Sequence, residues 1–196
     1  MKKQYGIHPD FKLLSVIRPP LKREKMPRMQ KMMGLLFDRQ HSDRRVMVEK
    51  LMAIDRGLPV PCAQLLTYPA VGNCGETESL RLYTDTPMCN TEDMNTYGEW
   101  YVQDESAGKL AYRSPIEAES FAGIPMTYIE TAEFDCLRDG AILYAEKLRE
   151  NGIPVELYNT KGTVHGYDMM LGSGIVKDLI EKRVRFLEKV LCGRTR

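Results

Sequence analysis

Two residues in the stretch MTYIETAEFDCLRDGAILYAEKLRENGIPVELYNTKGTVHGYD, residues 126–168, carry the chemistry that this chain advertises. They are Asp135 and His165. A carboxylate can hold an imidazole in one tautomer while the imidazole takes and returns a proton, which is two thirds of a triad for nucleophilic acyl transfer. Asp135 follows a β-rich run at 126–132, and His165 follows a run at 155–158 and a glycine-containing turn. In an open parallel sheet, residues just past the carboxyl ends of the strands converge on one crevice. The third member of such a triad, a nucleophile, is the part that the sequence does not supply in recognisable form.

The elements that must position this pair alternate. The pattern predicts a strand at 126–132, a helix at 138–150 with Ala141, Tyr144, Ala145 and Leu148 inward, a stop at Asn151-Gly152, and a strand at 154–159. A last helix at 175–191 places Val176, Leu179, Ile180, Val184, Leu187 and Leu191 on one apolar face. Upstream, a helix is expected at 43–56 with Gly57 as its stop, then a near-continuous apolar strand at 63–68 ended by Pro69. Residues 70–90 read as an irregular excursion. Thr91, followed by Glu92 and Asp93, reads as the cap of a further helix carrying Met94, Tyr97, Trp100 and Tyr101. Strands alternating with helices predict an α/β fold with a parallel sheet.

Residues 8–37 differ in character. Pro19, Pro20 and Pro27 split them into two short helical pieces, the second with Met29, Met32, Met33, Leu36 and Phe37 at helical spacing. A basic, Met-rich amphipathic segment at 22–37 suits a cap packed on its own domain, and a weak membrane contact is the alternative. The organisation expected is a helical cap-like segment at 1–40 and an α/β domain at 41–196.

The 196 residues carry a net charge of only +1, so bulk charge points to no nucleic-acid partner. The charge is uneven: residues 1–45 hold 12 Lys/Arg against 4 Asp/Glu, and the remainder holds 16 against 23. Five scattered cysteines without CxxC spacing read as reduced thiols, and His8, His41 and His165 show no metal-ligand spacing, so neither metal nor cofactor is expected. With no apolar run long enough to span a bilayer and no secretory leader, the cytoplasm is the expected compartment.

Several segments, in order, resemble the hormone-sensitive-lipase-like branch of the α/β-hydrolase superfamily, a group of esterases, lipases and acetyl hydrolases. AIDRGLPVPCAQLLTYP at 53–69 is similar to the family's passage from the nucleophile's helix into the next strand. NTEDMNTYGEWYVQD at 90–104 and SPIEAESFAGIP at 114–125 are similar to the lead-in to the acid-bearing strand. TAEFDCLRDGAILYAEKLRENGIPVEL at 131–157 resembles the acid motif, usually D-P-L-R-D-E, with Cys136 in place of the proline. KGTVHGYD at 161–168 resembles the histidine loop, and HPDFKLLSVIRPPL at 8–21 resembles the cap region. The resemblance implies Asp135 as triad acid, His165 as general base, and Arg138 and Asp139 as braces of the acid loop. It implies a small acyl ester as substrate and no cofactor.

Two parts of that family are not recognisable here. The chain has no G-x-S-x-G nucleophile elbow, and its 15 glycines include no Gly-Gly pair for an oxyanion loop. Both would fall between the cap and the helix before Ala63, where only about residues 38–45 remain. An internal loss of the first strands, the oxyanion loop and the elbow is the simplest reading. Two substitute nucleophiles can be named. Ser42 lies near the elbow's place but lacks a preceding strand and flanking glycines, and it also reads as a helix cap. Ser106 sits in DESAG, with Asp104 where the first glycine should be, and it also reads as part of a polar surface loop.

Two functions follow from different classes. One is a carboxylic-ester hydrolase using serine attack and His165 as base then acid. The alternative is a catalytically inactive, shortened hydrolase that acts as a binding or scaffold protein, or a non-functional fragment. Loss of the middle strands would leave the 63–68 strand with an open edge, through which the chain would self-associate.

Overall fold

The computed structural model describes residues 5–16, 43–101 and 109–193. The Met-rich segment at 22–37, Ser42 and Ser106 lie outside the described residues. Three parallel strands form the sheet in the order β1 (Ala63–Thr67), β2 (Met126–Phe134), β3 (Val155–Val164). Among the described residues, β1 and β3 are its two edges. Among the described residues five helices accompany them: α1 (Asp43–Asp55), α2 (Glu78–Leu82), α3 (Thr91–Tyr101), α4 (Arg138–Glu150) and α5 (Gly174–Cys192).

The side-chain period of two along β2 divides the core between the sheet's two faces. Ile129 joins Leu66 of β1 in a cluster with Met47 and Leu51 of α1 and Ala141, Tyr144, Ala145 and Leu148 of α4. Tyr128 and Ala132 face the other way: Tyr128 packs on Phe186 of α5, and Ala132 joins Val176 and Leu179 of α5. Phe11 and Leu14, from 3-10 turns at Pro9–Phe11 and Leu14–Val16, complete that second cluster. The molecule is thus a helix–sheet–helix sandwich. Among the described residues no helix is long and apolar enough to cross a membrane.

Both site-bearing strands run further than their apolar patterns predict. β2 continues to Phe134 because Phe134 still pairs with Val164 of β3. β3 continues to Val164 through a register irregularity: Ala132 pairs with Thr160 and Phe134 with Val164, so residues 161–163 bulge outward. Gly162 supplies the left-handed backbone there (φ 71°), and its N–H donates to Glu133 Oε2 at 2.7 Å. The carbonyl of Gly162 accepts from the His8 N–H at 2.8 Å, which fastens the N-terminal turns to the sheet.

Three other expectations change. The excursion at 70–90 contains the short helix α2, capped by Thr77. The cap of α3 is Asn90, whose Oδ1 accepts from the Asp93 N–H at 2.9 Å; the Thr91 hydroxyl instead donates to the Leu80 carbonyl at the end of α2. The apolar stripe of α5 is only partly buried: Val176, Leu179 and Phe186 are covered, while Ile180, Val184, Leu187 and Leu191 are exposed.

Candidate functional site

Asp135 and His165 are the first residues after β2 and β3, adjacent parallel strands, so the sheet itself delivers them side by side. His165 Nδ1 lies 2.8 Å from Asp135 Oδ2. A carboxylate only accepts, so Nδ1 carries the hydrogen and the lone pair is left on Nε2. Asp135 is fully buried, whereas the His165 side chain is 27% exposed. The carboxylate is therefore fixed inside the fold while the imidazole reaches the surface. The other carboxylate oxygen of Asp135 accepts from the Leu137 N–H at 3.0 Å, which orients the acid from its own loop.

The acid loop is braced as the resemblance implies. Arg138 Nε donates to Asp139 Oδ1 at 2.7 Å, and its Nη1 donates to the Tyr83 hydroxyl and the Glu133 carbonyl. Asp139 Oδ2 accepts from the Ser79 N–H at 2.7 Å, and the Ser79 hydroxyl donates to the Cys136 carbonyl at 2.8 Å. Burial pushes the Asp139 carboxyl up, but the bonds from Arg138 and Ser79 outweigh it and hold it below its ordinary value. Helix α2, unforeseen in the sequence, thus serves to carry Ser79 to this loop.

Cys136, at the position of the family proline, meets Cys89 with sulfurs 3.6 Å apart. Cys89, Asp135 and Cys136 place three possible ligand atoms within 4.8 Å of one another. Asp135 spends its oxygens on His165 and Leu137, and contact with Cys136 and burial push the Cys89 thiol well up. The arrangement is that of a neutral Cys89 thiol packed against Cys136 beneath a carboxylate. A cleft of about 530 Å³ opens beside this loop, lined among others by Gly72, Cys74, Leu80, Met94 and Leu137. Gly72 cannot carry a side chain there, because a Cβ would lie 2.4 Å from the Ser114 Cα.

On the other side of His165 stands a residue that sequence reasoning missed. Tyr68 follows β1, and its ring centroid is 4.5 Å from that of His165. The Tyr68 hydroxyl donates to Asp168 Oδ1. Arg183 of α5 donates from Nη1 to Asp168 at 3.1 Å and from Nε and Nη2 to Glu130 at 2.9 and 2.5 Å. Glu130, fully buried on β2, also accepts from the Tyr128 and Tyr167 hydroxyls. The only signal in the sequence was a glutamate inside an apolar strand run.

Residues 46–169 match the family model described as alpha/beta hydrolase fold. Esterase LipI of Mycobacterium tuberculosis is 35% identical over 116 residues, covering 59% of this chain and 36% of that protein. Carboxylesterase NlhH of the same species is 35% identical over 120 residues, covering 59% and 37%. Among solved structures, a bacterial heroin esterase superposes with a TM-score of 0.65 at 29% identity, covering 71% of this chain and 46% of that one. A thermostable esterase from Pseudomonas putida superposes with a TM-score of 0.66 at 31% identity over the same shares. The chain therefore spans little more than a third of the curated relatives and less than half of the solved ones.

Proposed function

We propose, for a chain that belongs to the α/β hydrolase family, that Asp135 and His165 are the acid and base of a carboxylic-ester hydrolase site, and that the described residues form a half-site. The supporting observation is the 2.8 Å contact between a buried carboxylate and a partly exposed imidazole at adjacent strand ends. In the complete reaction a serine hydroxyl would attack the ester carbonyl while His165 Nε2 takes its proton. His165 would then return that proton to the leaving alcohol and repeat the exchange with water. Asp135 would keep Nδ1 protonated and stabilise the imidazolium. A small acyl ester fits the family and the partial exposure of the base.

This chain lacks a recognisable elbow and oxyanion loop, parts that each supply orders of magnitude of rate. Its own hydrolytic rate is therefore expected to be near that of water. The test is treatment with a fluorophosphonate probe followed by mass spectrometry. No adduct is the expected outcome, with an intact esterase labelling as control. A stoichiometric adduct on Ser42 or Ser106, abolished by His165→Ala, would show a rebuilt triad and overturn the half-site reading.

A further inference from the structure

The backbone of Tyr68 is unusual. Its φ is 43°, in the left-handed region, and it precedes Pro69, where extended backbone is the norm. Tight constraints hold it there: its N–H donates to the Glu130 carbonyl at 2.6 Å, and its hydroxyl is held by Asp168. A strained aromatic residue fixed at both ends and laid against His165 asks for a physical reason.

We propose that Tyr68 is the positioning residue for His165: its ring, made electron-rich by the hydrogen bond to Asp168, holds the imidazole against Asp135 and favours the imidazolium that forms when Nε2 takes a proton. This rests on the reading of His165 as general base. The ring centroids lie 4.5 Å apart with planes inclined at 49°, within the range where an aromatic face attracts a cation. When Nε2 is protonated, Nδ1–H stays on Asp135, and the new charge spreads over the ring that Tyr68 covers. The charged and titratable groups around it include, among the described residues, Asp135 after β2, Tyr68 after β1, and Tyr167 and Asp168 in the turn that follows. Behind them stand Glu130 on β2 and Arg183 on α5. Arg183 joins the two carboxylates, Glu130 and Asp168, so the network behind Tyr68 has a net negative charge. Asp168 is placed to pass that charge to the Tyr68 hydroxyl.

The experiment is a histidine-resolved NMR titration of the full chain, practical because it holds only three histidines, His8, His41 and His165. Tyr68→Phe keeps the ring and breaks the link to Asp168. Asp168→Asn keeps the link and removes its charge. Tyr68→Leu removes the ring. The His165 midpoint should fall by about half a pH unit in the first two and by about one in the third, the size expected of a cation–aromatic contact. A midpoint within about 0.2 pH units of the parent in both Tyr68→Phe and Asp168→Asn would overturn the proposal, even if thermal stability fell. That outcome is decided by the two conservative variants, whether or not Tyr68→Leu folds. Because the titration reads the base and not the nucleophile, a chain inert to fluorophosphonate still gives a readable answer. An adduct on Ser42 or Ser106 would overturn the half-site reading and leave the Tyr68 result standing, and an unmoved midpoint would overturn Tyr68 and leave that reading standing.

Discussion

A single buried carboxylate shows how much of this molecule rests on individual residues. Glu130 is fully buried and is made tolerable by Arg183 and two tyrosine hydroxyls. Arg183→Met would leave that charge without its counter-ion. The expected loss is about 3–5 kcal/mol, a large share of the total stability of a domain. The double variant Glu130→Gln with Arg183→Met should recover most of it, since no lone charge then remains. Urea unfolding of the three proteins checks this; equal losses in the single and double variants would mean that packing, not charge, dominates. Asp135 and His165 were readable in the sequence because chemistry and position coincide in them. Tyr68 was not, because a residue before proline reads as extended, and only the fold reveals the left-handed turn.

Among the elements, the alternation from β2 through α5 was legible, and α4 matches its predicted bounds because Asn151-Gly152 closes it with an Ile153 N–H to Leu148 carbonyl bond. The missed part of β3 lies beyond a glycine bulge that breaks the period-two pattern. The half-exposed stripe of α5 shows that periodicity reports an apolar face but not what covers it. Helix α1 carries an outlier that patterning cannot flag. Lys50 is 2% exposed, its Nζ has no hydrogen-bond partner among the described residues, and burial lowers its pKa to about 8. A lysine depressed in the folded state costs stability wherever it is still charged. The cost is full below about pH 8 and fades as pH rises towards the unfolded value near 10.4. Lys50→Met should therefore stabilise the chain by about 2–3 kcal/mol at pH 7 and do little above about pH 10.5. Denaturation at the two pH values separates this from a simple packing gain, which would persist at both.

At the scale of the whole molecule, the sheet of the described residues has three strands, and the part of the chain that superposes on a solved esterase covers 46% of that protein. Among the described residues β1 has no second neighbour, and α5 shows Ile180, Val184, Leu187 and Leu191 to solvent. Unpaired strand edges and apolar stripes promote association. The expected result of light scattering after gel filtration is a mass above that of the monomer. If the stripe is responsible, Val184→Lys with Leu187→Lys will lower that mass; if the β1 edge is, the double variant will leave it unchanged. A strictly monomeric parent would rule out both.

The bond from the His8 N–H to the Gly162 carbonyl bears on the order in which the chain assembles. It joins residue 8 to residue 162 of 196, so closing it carries the entropy of a loop that takes in most of the molecule. Contacts of such long range form only once the shorter loops between the strands are in place. The N-terminal turns are therefore expected to settle onto the sheet after the β2–β3 pairing that presents His165, and to come loose before it. The turn before His165 borrows part of its support from a segment far away in sequence, and shortening the N-terminus is expected to loosen the bulge at Gly162 without touching His165.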